Sequence, residues 1–405
     1  MKSGYGVVHK IQALDKQDHT DDLIRRMRTV SRGDTVDIDF SRAGKMYPNG
    51  VVPFAAAVDF YRSAGYLFST SNMPPNVERT HVMHPMQVSD YVKHQTRLTH
   101  NVWQYRDESE AQTLADLYIE ALVDQIRCEA GVVDSLNWCL YEVMDNVFQH
   151  SRAECGYVMM QVHKHQRLCA ITVADTGIGI QKSLLLSSPD GKVDKSRLRQ
   201  AHTAIDEAVK QGVTSKGNLN QGNGLFGLQR AVEINGGELR ITSGRGRWTN
   251  GPDASTTELS RPVLDPDLHQ ATTVDWQLDC STPVRIEDAL GRYRIGSDFL
   301  ESIETPDGHH RVAVVDLEDS LGSRVKGEEV RTRLLNYIGA GAQYLVLDFS
   351  GVGVVSSSFA DEVLGKLAVE LGELEFRRRV FVDAASPTNR SLIERAIALR
   401  LVTGI

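Results

Sequence analysis

Three short segments in the middle of the sequence combine chemically active residue types with glycine-rich turns. Glu142, Asn146 and His150 follow one another at intervals of four, which places a carboxylate, an amide and an imidazole on one face of a helix. The segment Asp175-Thr-Gly-Ile-Gly179 comes directly after a predicted buried strand, and Gly222-Asn-Gly-Leu-Phe-Gly227 comes directly before a predicted helix. A positioned carboxylate can act as a general base, an amide oxygen can bind Mg²⁺, and the free N–H groups at a helix start attract phosphate.

The order of these segments is more informative than any one of them. A polar face on an amphipathic helix is usually only solvated, and a glycine-rich loop between a strand and a helix is often only a turn. Together they give a Glu-x-x-x-Asn helix, a strand ending in DxGxG, a polar stretch from about 181 to 223, a GxGLxG turn, a helix and a Gly-Gly hairpin. This ordered series is far more specific than its parts and predicts one shared site.

The three segments resemble the N, G1 and G2 boxes of the GHKL (Bergerat-fold) ATPases, a superfamily that includes gyrase B, Hsp90, MutL, histidine kinases and anti-sigma-factor kinases. The resemblance covers about residues 110–280. The spelling Glu142-x-x-x-Asn146-x-x-x-His150 is most similar to the histidine-kinase and anti-sigma branch, whereas Gly224-Leu-Phe-Gly227 is closer to the gyrase branch, so the branch stays open. The Gly-Thr of the family's G3 box is spelled Ala271-Thr272 here.

The resemblance implies a site for ATP with Mg²⁺ as cofactor. Glu142 would be the catalytic base, and Asn146 would bind both Mg²⁺ and the nucleotide. Asp175 would accept a hydrogen bond from the adenine amino group. His150 would either orient Glu142 or only cap its helix, and Lys216 would be either a γ-phosphate partner or a solvated lid lysine. The further nucleotide contacts would come from Gly177, Gly179, Thr214, Lys216, Gly222, Gly224, Gly227 and Thr272.

The C-terminal third resembles the STAS-like domains of anti-sigma-factor antagonists. The similarity rests on the segment 347–360, Leu-Asp-Phe-Ser-Gly-Val-Gly-Val-Val-Ser-Ser-Ser-Phe-Ala. In antagonists a GHKL kinase phosphorylates the second serine of Asp-Ser-Ser-Gly, and Ser356–Phe359 occupy those four positions here, without the Asp and the Gly. The spelling is closer to STAS-like variants of unknown function. Ser358 is therefore either a phosphoacceptor or, with Asp361 three residues on, the N-cap of the next helix.

The patterns along the chain divide it into three α/β blocks. Residues 1–90 form a small α/β domain, 91–285 the ATP-binding domain and 290–405 the STAS-like domain. The predicted fold class is therefore α/β (α+β), with a central Bergerat-fold sandwich containing a mixed sheet between two small α/β domains. A weak internal repeat links the two ends, since Val36-Asp-Ile-Asp-Phe-Ser41 resembles Leu345-Val-Leu-Asp-Phe-Ser350. The N-terminal domain is thus either a degenerate STAS-like module or an unrelated α/β unit.

Hydrophobic periodicity predicts the elements that must position these residues. Pro53 is expected in the first turn of its helix, and the stretch 246–270 is expected to be a surface loop. The predicted helices are 21–27, 53–63, 110–129, 134–150, 198–211, 225–235, 327–338, 359–371 and 387–400. The predicted strands are 35–40, 66–68, 156–162, 168–173, 238–243, 272–278, 311–317, 344–349 and 379–382.

Composition limits the class of protein. With 405 residues, 41% of them hydrophobic, two or three globular domains are expected. A net charge of −8 argues against a broadly basic nucleic-acid surface. No apolar run reaches the roughly 18 residues of a spanning helix and no signal peptide opens the sequence, so a cytoplasmic protein is expected. The five cysteines are expected to be buried and reduced, and the pairs His81/His84 and His163/His165 to be exposed rather than metal-bound.

These features predict a bacterial ATP-binding protein in which ATP and Mg²⁺ order the lid at 181–223 and change contacts with the STAS-like domain. Its setting is either signalling or anti-phage defence. Hydrolysis would reset this switch. The enzymatic alternative is a serine kinase of anti-sigma-factor type acting on Ser358 or on a partner protein, and a further alternative is an ATP-gated scaffold with negligible turnover. The helix at 110–129 contains no histidine, which argues against a histidine kinase. Assembly as a homodimer is left open.

Overall fold

The computed structural model describes residues 7–94, 97–186, 195–210, 224–251, 254–290, 298–317 and 323–403. The chain divides into two compact units. The first comprises Met1–Ile119, Leu136–Asp279 and Asp288–Gly291, and the second comprises Glu120–Ser135, Cys280–Glu287 and Arg292–Ile405. The division into three domains stays a prediction. Within the described ranges, none of the helices has the length and apolar character needed to cross a bilayer.

The described strands all belong to one of three sheets. They are β1 (Val7–Lys10), β2 (Thr35–Asp39), β3 (Leu67–Ser71), β4 (Met86–Gln87), β5 (Trp103–Tyr105), β6 (Gly156–His163), β7 (Leu168–Asp175), β8 (Glu238–Ser243), β9 (Gly246–Asn250), β10 (Ser255–Glu258), β11 (Thr272–Asp279), β12 (His310–Ala313), β13 (Leu345–Asp348) and β14 (Val380–Asp383).

The described helices connect these strands or cover the sheets. They are α1 (Asp18–Met27), α2 (Pro48–Ser63), α3 (Pro75–Glu78), α4 (Val88–His94), α5 (Glu108–Gln125), α6 (Val132–Asn146), α7 (Ile180–Leu186), α8 (Ala201–Ala208), α9 (Gly224–Asn235), α10 (Ile286–Ala289), α11 (Asp298–Glu301), α12 (Val314–Leu317), α13 (Arg324–Ala340), α14 (Ser357–Ala360), α15 (Lys366–Leu371), α16 (Glu373–Arg379) and α17 (Pro387–Thr403). Two π-helical turns, Val147–Ser151 and Asp361–Gly365, and two 3₁₀ turns, Lys164–Gln166 and Lys195–Arg199, complete the set.

Sheet topology confirms the predicted fold class, a mixed α/β chain with a large mixed sheet. In the first unit, β1, β2 and β3 form a parallel sheet in that order. The same unit contains an eight-stranded sheet of order β10-β9-β8-β11-β7-β6-β5-β4, antiparallel except for the β4–β5 pair. In the second unit, β12, β13 and β14 form another three-stranded parallel sheet.

Helix α2 is apolar on nearly every side, and two sheets of the first unit cover it from two directions. Its residues share one hydrophobic core with Val36 and Ile38 of the small parallel sheet and with Tyr157 and Ala174 of the large sheet. The N-terminal module, residues 7–71, is therefore packed against a face of the eight-stranded sheet. A helix buried from two directions loses the amphipathic pattern of a surface helix.

The start of α2 differs from the prediction that placed Pro53 in the first turn. The helix begins at Pro48, directly after Tyr47 in extended conformation (φ −121°, ψ 153°). Pro48 suits this first position because its fixed φ is helical and its missing N–H is not needed there. Pro53 instead lies inside the helix, where it removes one backbone hydrogen bond.

The stretch 246–270 is not simply the predicted surface loop. Strands β9 and β10 lie within it and extend the large sheet, with β9 paired to β8 and β10 paired to β9. The four residues of β10 are all exposed polar residues, so this edge strand lacks the alternation that identifies a half-buried strand. In the second unit, the predicted strand 311–317 is also too long, since the short helix α12 begins at Val314.

The predicted internal repeat has a counterpart in three dimensions. Strands β2 and β13 are each the middle strand of a three-stranded parallel sheet. In the following turns, 39–41 and 348–350, the serine N–H donates to the aspartate Oδ1 at 2.9 and 2.8 Å. In both turns the phenylalanine N–H donates to the last strand of its sheet at 3.0 Å. The origin of the N-terminal module as a degenerate STAS-like module stays a prediction.

The cap of the helix after β13 is displaced by two residues from its predicted position. Ser356, not Ser358, is the N-cap, and its Oγ accepts a hydrogen bond from Phe359 N at 3.0 Å. Ser356 has extended backbone (φ −74°, ψ 153°), and Ser358 already lies inside the helix, so its side chain cannot cap it. The Oγ atoms of Ser356 and Ser358 are 3.0 Å apart.

Ser356→Ala is therefore expected to lower the free energy of unfolding of the STAS-like region by about 1 kcal/mol, because it leaves an N–H at the helix start without its partner. Ser357→Ala, at an exposed position one residue on, is the matched control and is expected to be nearly neutral. Chemical denaturation measures both. A larger loss in Ser358→Ala than in Ser356→Ala would contradict this assignment of the cap.

The cysteines and two histidine pairs follow the expectations only in part. None of the five cysteines forms a disulfide bond, and Cys128, Cys139, Cys169 and Cys280 are buried, while Cys155 is half-buried. In the histidine pairs, His84 and His165 are exposed, whereas His81 and His163 are half-buried. The prediction of full exposure was therefore wrong for one member of each pair, because neighbouring segments of the fold partly cover it.

Candidate nucleotide-binding site

Helix α6 changes its geometry where it reaches the Asp175 turn, residues 175–179. The α-helix ends at Asn146 and continues as a π-helical turn over Val147–Ser151, which ends at Arg152 in left-handed conformation (φ 58°). Such π-helical turns occur frequently at functional sites. The carbonyl of Ser151 accepts a hydrogen bond from Ile178 N at 2.8 Å, so the end of this helix is attached to the turn that carries the candidate adenine acceptor.

Asp175 lies at the end of β7 and is only 6% exposed. Its Oδ1 accepts a hydrogen bond from Gly177 N at 2.7 Å. Burial raises the pKa of Asp175 to about 7, although the hydrogen bond from Gly177 and the nearby Ser151 hydroxyl act in the opposite direction. An ionised carboxylate has about four acceptor positions, so the hydrogen bond from Gly177 leaves room for a donor from a ligand.

The two glycines of the Asp175 turn are required by close backbone packing. A Cβ on Gly177 would collide with the carbonyl of Ser151, and the Gly177 carbonyl accepts hydrogen bonds from Gln270 N at 2.8 Å and Ala271 N at 3.0 Å. Gly179 has φ +78°, in the left-handed region that favours glycine. Both glycines therefore shape the turn, and their direct contact with a nucleotide stays a prediction.

Thr272 lies opposite Asp175 in the pairing of β11 with β7. Its Oγ1 is 3.1 Å from the Oγ of Ser243 on β8, and Ser243 in turn accepts a hydrogen bond from Ile180 N at 2.8 Å. The preceding Ala271 has φ 62°, so it keeps a left-handed conformation that costs about 1 kcal/mol for an L-residue. Ala271 thus has the left-handed backbone conformation that is typical of glycine, although it carries a side chain.

Gly224 brings the start of α9 against the polar face of α6. A Cβ at this position would lie 2.7 Å from Glu142 Oε2 and 3.6 Å from Asn146 Nδ2. Any larger residue would have to displace the Glu142 carboxylate, so glycine permits the approach of the two helices here. The structure therefore brings together three residues that the sequence separates by up to 82 positions.

Glu142 has the environment expected of a proton acceptor. It is half-buried, and burial together with the nearby charge of Asp145 raises its pKa. A carboxylate with a raised pKa is a stronger base when it is ionised, which suits proton abstraction near neutral pH. Its carboxylate also lies beside the first residue of α9, where helix N–H groups are available to an anion.

Comparisons with known protein families identify two domains. Residues 131–257 match the family described as histidine kinase-, DNA gyrase B-, and HSP90-like ATPase, and residues 326–389 match a STAS-like domain of unknown function (DUF4325). The chain carries a GHKL-type ATPase domain followed by a STAS-like domain. The predicted resemblance and the predicted fusion order are confirmed. No curated protein and no solved structure matches the chain.

Within the GHKL domain, Gly227 faces a different neighbour from Gly224. A Cβ on Gly227 would collide with the ring of Trp138 and would lie 2.8 Å from Leu290 Cδ2. Glycine at this position allows α9 to pack closely against α6. The packing role is visible in the structure, and the predicted nucleotide contact of Gly227 stays a prediction.

Three predicted contact residues of the GHKL lid, Thr214, Lys216 and Gly222, lie outside the described residues. The described part of the stretch 181–223 contains α8, which packs on β9 and β10. Ala204 of this helix forms a small apolar cluster with Leu184 and Leu198. The predicted helix 198–211 is therefore present as Ala201–Ala208, preceded by a 3₁₀ turn.

Two serines that hold the GHKL site together were missed by the sequence analysis. Ser151 follows the Asn146 helix by one turn, and a serine at such a helix end could have been examined as a partner for the next glycine turn. Ser243 had no local signal, because its partners Thr272 and Ile180 are brought to it only by the strand order. Neither residue belongs to a spacing pattern that identifies a box.

Proposed function

We propose that this chain is an ATP-dependent regulatory switch in which the GHKL domain binds Mg-ATP and acts on the fused STAS-like domain. The observation that supports it best is the arrangement around α6. This helix meets the first residue of α9 through Glu142 and Asn146, and the Ser151 carbonyl of its terminal π-turn accepts a hydrogen bond from Ile178 N in the Asp175 turn. The GHKL match covers these elements.

Each of these residues would have a distinct role. Asp175 would accept a hydrogen bond from the adenine amino group, and the backbone at Gly224 would present helix N–H groups to the phosphates. Asn146 would hold Mg²⁺ through an oxygen that adds no negative charge. The ion would supply charge neutralisation for the triphosphate. Glu142 would take a proton from the attacking water.

The remaining predicted contacts are part of the same proposal. Three further expectations from the sequence belong to this proposal. They are a bacterial setting in signalling or anti-phage defence, a cytoplasmic location and assembly as a homodimer. The contact residues in question are Gly177, Gly179, Thr214, Lys216, Gly222, Gly227 and Thr272.

A physical link to the STAS-like region supports the switch. In the second unit, the buried side chain of Asn336 on α13 donates hydrogen bonds to the carbonyls of Val123 (2.8 Å) and Ile126 (3.0 Å). It also accepts a hydrogen bond from Cys128 N at 2.7 Å. Arg333, which lies one turn before Asn336 on α13, forms an ion pair with Asp124.

These contacts fix the segment 123–128, which leads directly into α6. Glu142 and Asn146 lie further along α6. A shift of α6 on nucleotide binding would therefore act on the segment 123–128, which is hydrogen-bonded to α13. A buried donor or acceptor that loses its hydrogen bond costs free energy, so the segment 123–128 and α13 are expected to move together when nucleotide binds. The link supports regulation within one chain.

A serine kinase is the second candidate function, and the position of Ser358 supports this alternative. Because Ser356 supplies the cap, the hydroxyl of Ser358 is not required by the helix start. Ser357 beside it is exposed and Ser358 is half-buried. The acceptor in this alternative is Ser358 or a serine of a partner protein.

Incubation with ATP labelled on the γ-phosphate separates the alternatives. Free labelled phosphate without labelled protein is expected for the switch that hydrolyses ATP. Label on the peptide containing Ser356–Ser358, absent in Ser358→Ala, would instead establish the kinase. Bound but unchanged ATP would indicate a scaffold. Gly353→Ala, in the exposed loop before this helix, is the matched control for the serine substitution.

A further inference from the structure

A loop in the first unit lies between the N-terminal module and the Asp175 turn. We call it the strap and define it as residues 259–271, from the end of β10 to the start of β11. It connects two strands that β9 and β8 separate in the large sheet, and it makes specific contacts on both of its sides. Its role is therefore more than that of a connection.

On one side the strap holds the Asp175 turn. The Nδ1 atom of His269 is 2.7 Å from the carbonyl oxygen of Thr176, and since a carbonyl can only accept, His269 is the donor. Gln270 N and Ala271 N both donate to the next carbonyl, that of Gly177. Three donors from the strap thus fix two successive peptide groups directly after Asp175.

On its other side the strap is attached to the N-terminal module. The ring of His269 lies against the ring of Phe60 of α2, with centroids 4.8 Å apart. Arg261 Nη2 is 2.6 Å from Asp21 Oδ1 of α1, and both side chains are 8% exposed. Removing one partner of an ion pair desolvated to this degree leaves a buried charge unpaired and strongly destabilises the fold. This ion pair therefore attaches the strap specifically to α1.

A cavity of about 20 Å³ lies along the same boundary. Its lining includes Asp175 and Ala271 from the site and Thr20 from α1, together with Arg261 of the strap. Within the part of the chain that the structure describes, Thr20 Oγ1 and Arg261 Nε are buried without a protein partner. A polar cavity of this size has room for one water molecule, which would join these groups.

From these contacts we propose that His269 and Phe60 are positioning residues for nucleotide binding. Through the strap, the N-terminal module holds the Asp175 turn in its binding conformation. Nucleotide occupancy and the packing of α1 and α2 are consequently coupled, and the coupling acts in both directions. This inference rests on the proposed ATP site and assigns a functional role to the N-terminal module.

The first test is ATP affinity, measured by titration calorimetry on the whole 405-residue chain. His269→Ala is expected to raise the Kd for ATP about tenfold, within the roughly 5–150-fold range usual for such coupling. His269→Asn is expected to restore most of the affinity, because the amide Nδ2 occupies nearly the place of the imidazole Nδ1 and can donate to Thr176. A residue that mattered only for stability would not show this rescue.

Two further variants control the result. Phe60→Leu keeps an apolar side chain in α2 but removes the ring contact, and is expected to weaken ATP binding in the same direction. His309→Ala is the matched control, since His309 also packs against an aromatic ring, that of Tyr344 at 5.2 Å, in the second unit. Its affinity for ATP is expected to equal that of the wild type.

Hydrogen exchange tests the reverse direction of the coupling. ATP is expected to slow amide exchange in α1 of the wild type and to have a much smaller effect in His269→Ala at equal saturation. Wild-type affinity in both His269→Ala and Phe60→Leu would overturn the inference and leave the ATP site intact. Failure of the wild type to bind ATP would overturn the proposed function itself.

Discussion

Asp175→Asn is expected to weaken ATP binding strongly and to stabilise the ligand-free protein at pH 8. An amide can place an N–H where the adenine amino group requires an acceptor, so the variant loses a hydrogen bond to a charged group. Such a bond contributes about 1.5–3 kcal/mol, and the mispaired donor adds to the loss. A large fall in ATP affinity with an intact fold is the expected result.

The gain in stability follows from the raised pKa of Asp175. The folded value is about 7, above the ordinary 3.8, so the folded state favours the neutral carboxyl. This contribution is fully present below about pH 4 and is lost as the pH rises through 7. At pH 8 the buried charge costs up to about 4 kcal/mol, which the amide avoids. Thermal melts at pH 5 and pH 8 measure the difference.

Asp275→Asn is the matched control for Asp175→Asn. Asp275 is a half-buried residue on the neighbouring strand β11, desolvation of its carboxyl raises its pKa to about 6, and it accepts a hydrogen bond from Thr172 at 2.9 Å. The control is expected to change the pH dependence of stability and to leave ATP binding unchanged. Wild-type ATP affinity in Asp175→Asn would show that the adenine pocket is wrongly assigned.

Glu142→Gln is expected to keep Mg-ATP binding and to slow turnover by about 10²–10⁴-fold, the usual effect of removing a positioned base. The amide has nearly the shape of the carboxylate, so the packing against Gly224 is preserved. Asn146→Ala is expected instead to lose the Mg²⁺ dependence of binding. Steady-state hydrolysis and calorimetry separate the two effects.

Asp145→Asn provides a sharper control for the role of Glu142. Asp145 is on the same helix and raises the pKa of Glu142. Its removal should lower that pKa, so hydrolysis should persist to lower pH while its maximum rate changes little. Equal defects in binding for Glu142→Gln and Asn146→Ala, with normal turnover at saturation, would contradict the separate roles.

The parts of the site that could be predicted are those that depend on local sequence. The four-residue spacing of Glu142 and Asn146 defines a helix face, and the glycines after Asp175 define a tight turn. Family resemblance adds their assignment to one site. The approach of Gly224 to Glu142 then follows from the fold of the matched domain.

The parts that could not be predicted depend on strand order and on packing over long distances. Ser243 reaches Thr272 because β8 and β11 are neighbours, although 29 positions separate the two residues. The polar strand β10 carries no alternation, and Asp21 finds Arg261 only because α1 packs near the strap. Hydrophobic periodicity indicates which face of a helix or strand is buried, but it does not indicate which other element covers that face.

The cap at Ser356 shows a smaller limit of sequence reasoning. The sequence analysis considered only Ser358, the last of three consecutive serines, as the cap, whereas the position of the cap depends on where the backbone leaves the extended conformation. Helix starts are commonly uncertain by one or two residues for this reason. The displacement matters here because it separates the cap from the candidate phosphoacceptor.

Titration of the wild-type protein with ATP and with GTP at pH 8, each with and without Mg²⁺, is the decisive experiment for the proposed ATP site. We expect one ATP per chain, weaker binding when Mg²⁺ is removed, and an affinity for GTP lower by about 10–100-fold, because the acceptor at Asp175 faces a carbonyl instead of an amino group. Folded protein that binds neither nucleotide, or binds both equally well, would contradict it.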